Sequence, residues 1–581
     1  MNHLTQWRLA LATTTLLGLS ACGGGGSDVS PAAVAKPATT FSGTAATGAA
    51  MAGATVSINC ASGTGTATTA ANGSYTKDIT DVTLPCVLKA TSSDGNMVLY
   101  SVTTPSTTGS SASTGQVANI TPLTQLLVAS LAGTDPATFF TNFSANAGTV
   151  TASNVSTAQT AVLTTLSNAG LDVSGLTDLL TGALVPATSS TGGNVYDQIL
   201  DALKARLTAS GTTLDALATT VAAASPAAST TTNSNNNVAS LPASLLLKAA
   251  DSNCSALRTG DYWVISPTMS GGISSQFASG SFDVASKTMT NLVGSSTVLS
   301  ASSTSCRYLA ADGVSDVVVS QAGVLMARVL TNGTYRLSVA IPKQTIAVSE
   351  LAGTWNGLGF ELNDAGTAYA TDSFSATVGS TGIVSTVTAC DGATSSSNCT
   401  TVSPSTSFSS NSTGGFDLTS TAVSDTWTDR VFAYRAGNGD MMLVEIAGNG
   451  SVSTWTQKRT LSQPAVGSLG AGNWTVRTSN SLVANALSND TGYTVTAVDA
   501  GTGSVTRTVL VSPGGTDTYD QTIVLNNPRA GYNFRAATTA TSAAGASVAV
   551  RERTSLNLRG MGVSVQSVPS FNAFQMGIDQ P

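Results

Sequence analysis

Four glutamates, Glu350, Glu361, Glu445 and Glu552, are the residues of this chain best suited to moving protons, and they are its only glutamates. Histidine cannot share the work. The single one, His3, falls inside an N-terminal segment that reads as a secretory signal. Without an imidazole there is no Ser-His-Asp or Cys-His catalysis and no histidine metal site. A pair of carboxyl groups, as in glycoside hydrolases, is the main route to hydrolysis that remains. Glu350 and Glu361 flank the segment around Trp355, and Glu445 and Glu552 lie in later hairpin-like stretches. Their spacing brings no two of them together. Glu445 alternates with Val444 and Ile446, so its side chain is expected on the solvent face of a strand. Trp427 with Asp429, and Trp455, could stack a sugar but are more often core or rim. Asp197 and Asp201 share a helix face, and with Lys204 nearby that face is read as solvated. The turns at Asn363-Asp364, Asn489-Asp490 and Asp499-Ala500-Gly501 carry oxygens that could hold calcium. None has the acidic ladder of an EF-hand, and hairpin turns use the same residues for their backbone angles. No catalytic, cofactor-binding or metal-ligating residue is therefore assigned, and the chain leans away from being an enzyme.

Cysteine chemistry is more informative. There are seven cysteines. Cys22 stands apart, and the other six form local couples: Cys60 with Cys86, Cys254 with Cys306, and Cys390 with Cys399. An even set in an exported chain, without histidines or metal-type spacing, is expected to form structural disulfides. Leu19-Ser20-Ala21-Cys22 follows an apolar run too short to span a bilayer and resembles the lipobox of bacterial lipoproteins. The resemblance implies cleavage after Ala21 and lipid on Cys22. Gly23 follows where an aspartate would imply retention in the inner membrane, so the resemblance points to the outer membrane, its facing left open.

Composition narrows the partners. Charged residues make up only 9% of the chain, and without the signal 23 basic and 31 acidic residues remain, net −8. No cluster of Lys and Arg in the sequence suggests a phosphate-binding patch, so nucleic acid is not expected. Membrane contact is expected through lipid on Cys22, with an envelope glycan or protein as the further partner.

The elements that must position these residues change character along the chain. Residues 1–21 are the signal and 22–40 a flexible Gly/Ser/Ala/Pro tether. Over 41–107 short alternating strands surround Gly43-Thr44, Gly53-Ala54-Thr55-Val56 and Asn72-Gly73-Ser74-Tyr75. This order resembles the carboxypeptidase regulatory-like, prealbumin-type β-sandwich, an accessory fold that the family uses without catalytic residues. Residues 116–224 read as a helical subdomain. Its first helix starts at Thr121-Pro122 and stops at Gly133, and others are expected at 156–168, 175–183, 194–209 and 212–224. A polar linker over 225–247 precedes β signal to the end.

Three β modules are expected, at 248–348, 349–465 and 466–581, as sandwiches or small barrels. They open on Gly260-Asp261-Tyr262-Trp263, Gly353-Thr354-Trp355 and Gly472-Asn473-Trp474, with the glycines 93 and 119 residues apart. The last two resemble the Gly-x-Trp signature of lipocalin barrels. The other reading, a tryptophan plugging the end of a β core, is preferred, because those spacings are short for eight strands. The fold class is thus multi-domain and mainly β: a small sandwich, a helical subdomain and a large all-β region. Function is expected to be non-enzymatic binding, adhesion or scaffolding by a cell-envelope lipoprotein. The alternative is a carboxylate-dependent glycan hydrolase.

Overall fold

The computed structural model describes residues 38–103, 115–187, 191–225, 241–268, 272–292, 296–362, 367–391, 399–422, 425–512, 514–558, 560–569 and 572–580. Cys22, the signal, most of the tether, most of the linker and the turn at 363–366 lie outside these residues.

The chain is mainly β. Its first unit is two facing sheets. Thr39–Thr44 pairs with Ser74–Ile79 and Gln116–Val117, and Thr55–Ser62 lies between Thr64–Thr68 and Thr83–Thr91, with Val98–Val102 outside. Alternate residues Phe41, Val56, Ile58, Leu88 and Leu99 meet between them and exclude water. Cys60 and Cys86 are cross-strand partners joined by a disulfide.

The helix Pro122–Ala132 begins at Thr121, whose hydroxyl accepts from Thr124 N, and ends at Gly133 in the left-handed conformation. Helices Ala152–Asn168, Val195–Ser210 and Leu214–Ala223 pack with it, and two short helical segments, Pro136–Thr141 and Phe143–Asn146, escaped the periodicity. The helix expected over 175–183 does not form. There the Asp178 carboxylate accepts from the backbone N–H groups of Leu180 and Thr181, a local turn that competes with helical bonding. Asp197 is not on a solvated face either. It is buried and accepts from Ala187 N at 2.9 Å, while Asp201 stays exposed.

The β region contains three units. The first is a closed eight-stranded barrel from Gly260–Ile265 to Thr334–Pro342, filled by alternate residues including Tyr262, Phe282, Met289, Leu299 and Tyr308. Eight strands fit in so few residues because several are only two to five residues long, which corrects the expectation drawn from the glycine spacing. Cys254–Cys306 ties its entry to it. The second barrel runs from Gly353–Leu362 to Val452–Gln457 and closes where Tyr369–Val378 pairs with Ile383–Asp391. Its interior holds Trp355, Phe374, Phe408, Leu418, Leu443 and Trp455. The third unit is an open ten-stranded sheet between Leu469–Gly470 and Ala573–Asp579.

The three tryptophans of the repeated segments part company. Trp355 plugs the second barrel and donates to Leu351 O at 2.9 Å. Trp263 and Trp474 instead face outward into an apolar layer shared by all three units. Trp263 lies 4.8 Å from Phe432 of the second barrel, and Phe360 lies 6.0 Å from Phe574 of the open sheet. The helical unit joins through Arg258, whose buried guanidinium donates to the carbonyls of Ser210, Leu246, Lys248 and Ser255.

Candidate functional site

Two clusters of charged side chains stand out in a chain poor in charge. One is at a mouth of the second barrel. On Gly353–Leu362 the alternation that turns Trp355 inward also turns Gly357, Gly359 and Glu361 inward. The same parity carries Asp372 inward with Phe374, Asp429 with Val431, and Glu445 with Leu443. Four carboxyl groups thus meet at one end of the barrel. Two glycines make the room. A Cβ at Gly359 would stand 1.9 Å from Asp372 Oδ1, and one at Gly357 would stand 2.0 Å from the Phe374 ring.

Glu445 Oε2 accepts from Ser453 Oγ and from Trp455 Nε1, and the Asp429 and Glu445 side chains are hydrogen-bonded to each other. Burial, then the neighbouring Glu445 charge, pushes Asp429 up to about 8, and the same two causes raise Glu361, less firmly because its side chain is exposed to water. Burial, then Glu361 and Glu445, pushes Asp372 well above the usual carboxylate range, and burial also raises Glu445. Glu361 has the most exposed side chain of the four, so water enters from its side. The expectation that Glu445 meets solvent is overturned: it faces away from Val444 and Ile446, but into a barrel. Glu361 and Glu445, which spacing left apart, share one site. Glu350 does not join them; it pairs with Arg435 at 2.9 Å. Glu552 sits in the short connection between Ser547–Val550 and Arg553–Leu558. Trp455 is core, between Phe374 and Phe408, and Trp427 is half-buried against the same cluster.

A hydrogen-bonded carboxyl pair can hold and release a proton. In glycoside hydrolases the two carboxyls stand about 5 Å or more apart, leaving room for the sugar instead of bonding to each other. Among the described residues no group of three or more Cys, Asp or Glu is arranged to hold a metal ion. No described helix is long and apolar enough to cross a membrane, which leaves β-barrel spans untested.

The second cluster lies on the open sheet. Its outer face, with Trp474, Leu556, Val565, Phe574 and Met576, is packed into the shared apolar layer. The opposite face curls around a cavity of about 240 Å³, lined from both ends of the sheet by residues such as Asn473, Arg507, Arg535, Arg553, Gln566 and Asp579. A neighbouring cavity of about 260 Å³ shares the three arginines. Many of the interior positions that hold apolar side chains in the two closed barrels are polar here, with Val505, Val509 and Ile523 as apolar exceptions on the same face. Asn489 and Asp490, expected in a turn, instead lie in the short edge strand Ser488–Asp490 beside this trough, where they pair with Trp474 and Asn473, and the Asp499 turn is an ordinary one in which the carboxylate accepts from Gly501 N. Spacing hid the trough, because its arginines come from three strands whose pairing is not sequential.

No family model matches the chain, and no curated protein matches it. Among solved structures it is similar to the vaccine antigen transferrin binding protein B of Haemophilus parasuis Hp5, solved as a double mutant. That alignment has 7% identity over 55% of this chain and 76% of the other, with a TM-score of 0.14. It is also similar to isotype 1 transferrin binding protein B of serogroup B Neisseria meningitidis, at 9% identity over 59% and 78%, with a TM-score of 0.14. Likenesses at this level establish neither a shared fold nor a shared ligand.

Proposed function

We propose that this chain is a non-enzymatic lipoprotein of the cell envelope, held in the outer membrane by lipid on Cys22, that binds an envelope or extracellular partner in the trough of its C-terminal sheet. One observation carries the reading. Two units close into barrels with filled interiors, and the third stays open, with a polar concave face around empty volume. A sheet face that is largely polar around unfilled volume adds little apolar burial to folding, and polar groups converging on a concave surface are where ligands are oriented. The lipobox supports the anchor, and several acyl chains at roughly 0.8 kcal/mol per buried CH₂ would hold it durably.

The hydrolase reading draws on the carboxyl mouth of the second barrel. The contact between Asp429 and Glu445 speaks against it.

The test uses the mature chain made soluble by Cys22→Ser, presented to glycan arrays and envelope extracts. Ser555→Trp, which fills the trough without removing an arginine, is expected to abolish the binding found. Binding that survives this substitution places the ligand elsewhere and overturns the assignment. An N-terminal peptide without acyl mass in the native protein overturns the anchor.

A further inference from the structure

We propose that the trough is a site for an acidic saccharide, whose carboxylate or sulfate groups are received by Arg507, Arg535 and Arg553. The inference rests on the binding reading above and gives it a ligand class.

The arginines have neutral partners, including the Arg551 carbonyl that accepts from Arg535 Nε at 2.9 Å, but bring more positive charge together than the fold around them neutralises. Arg535 and Arg553 are direct cross-strand partners, so two like charges face each other across one pair of strands, a destabilising arrangement. Arg507 stands opposite Gln521 on the next strand pair. The Gln521 side-chain oxygen accepts from Arg535 Nη1 at 2.6 Å and from Arg507 Nη2 at 3.4 Å, so one neutral amide is shared by two cations. Among the described residues none of the three forms a salt bridge, although Lys287, Arg307, Arg430, Arg435 and Arg459 do. Nε of Arg507 and Nε of Arg553 are buried without a hydrogen-bond partner. Asp490 is the one carboxylate whose charge acts on all three, and Asp579, across the cavity, is pushed up by burial. Positive charge is therefore in excess. Burial, then repulsion from Arg553 and Arg507, lowers Arg535 to about 9.

Guanidinium forks match carboxylate and sulfate oxygens in pairs, and charge-assisted bonds of this kind are the strong ones. A bound oxyanion would pair with the guanidinium groups that line the cavities and offset their mutual repulsion. The size and lining of the site point beyond a bare ion. Two adjoining cavities of about 240 and 260 Å³ hold a ring or two, not one anion. Asn473, Asn533, Ser555 and Gln566 surround the arginines with groups that pair with hydroxyls. The Tyr493 ring, with the Arg507 guanidinium 4.5 Å from its centre, holds that arginine at the cavity wall.

The experiment is calorimetric titration of the full mature Cys22→Ser chain at low salt. Tetragalacturonate serves as the carboxylate probe, a heparin tetrasaccharide as the sulfate probe and maltotetraose as the neutral one. At least one acidic probe is expected to bind at least tenfold tighter than maltotetraose. Arg553→Gln and Arg535→Gln should each weaken it tenfold or more, with Arg553→Lys intermediate because it keeps the charge and loses the fork. Arg553→Gln should also leave the Tm unchanged or raise it by a few degrees, since it removes an unpaired like charge. A falling Tm together with unchanged affinity makes the arginine structural and overturns the proposal. Maltotetraose binding as tightly as the acidic probes, and lost in Ser555→Trp, keeps the binding function and sinks this ligand class. Inorganic sulfate or a tetraglutamate peptide binding as well as the saccharides overturns it in favour of a simple anion or an acidic peptide.

Discussion

Stability of the second barrel should fall as pH rises from 5 to 8, the reverse of ordinary acid denaturation. Asp429 sits at about 8 in the folded chain, against roughly 3.9 for an unfolded aspartate. Between those values the folded state keeps a proton that the unfolded state has lost. The stabilisation is fully present below about pH 4 and is lost as pH rises through about 8. At about 1.4 kcal/mol per pH unit the ceiling for Asp429 alone is roughly 6 kcal/mol. The four carboxyls share protons, Asp429 is only half-buried and water enters past Glu361, so about 2–3 kcal/mol is the expected net. That corresponds to a drop of roughly 5–10 °C in Tm between pH 5 and pH 8. Asp197 and Asp579 are also raised by burial and act in the same direction. Asp94, Asp172 and Asp283 are lowered by their hydrogen bonds and titrate below this window. Scanning calorimetry on the wild type and on Asp429→Asn/Glu445→Gln isolates the cluster, and the double variant should lose most of the slope. A wild-type Tm that is flat or rises between pH 5 and 8, or a variant with the same slope, refutes the reasoning.

Gly359→Ala puts a methyl against Asp372 Oδ1, and Gly357→Ala puts one into the Phe374 ring. Each should cost about 1–3 kcal/mol in denaturant melts, whereas Gly260→Ala, with open space around it, should cost under 1. Arg258→Met removes the donor to four carbonyl groups and should cost about 2–4 kcal/mol. It should also split the calorimetric transition of the helices from that of the barrels, and an unchanged single transition would count against Arg258 as their link.

What was legible in the sequence followed from local periodicity. Thr121-Pro122 and Gly133 mark the first helix because caps act through residues three apart, and alternation in Ala54 to Ile58 writes a strand. The inward parity of Glu445 was also legible, as the face opposite Val444 and Ile446. What that face meets was not. In a one-layer sheet it would be water; in a barrel packed on its outside, the apolar face goes to the neighbours and the other face becomes the interior. Gly357-Leu358-Gly359 was a usable signal, since glycines at alternate strand positions announce large partners across the strand, here Phe374 and Asp372. The arginine trough had no such signal. Arg507, Arg535 and Arg553 are joined by pairings that skip the Thr538–Thr541 and Ser547–Val550 hairpin, so their neighbourhood exists only after the sheet forms.

The topology explains why the trough, and not either barrel, is open to a ligand. Closing a barrel removes sheet edges and forces the interior to be filled, here by aromatic and aliphatic side chains. The C-terminal sheet keeps two edges, which ordinarily invite pairing with another chain. Both are short: Leu469–Gly470 has two residues and Ser488–Asp490 three. Short edges offer little template for strand addition, so the sheet can stay open without becoming an aggregation site. Its apolar face is already spent on the two barrels, which hold the curvature from outside. The concave face thereby carries less of the apolar packing, and the arginines can stay charged there, whereas the carboxyls inside the mouth of the second barrel are pushed toward their neutral form. Rigid support behind and unfilled polar volume in front is the arrangement that lets a site be pre-formed before its ligand arrives.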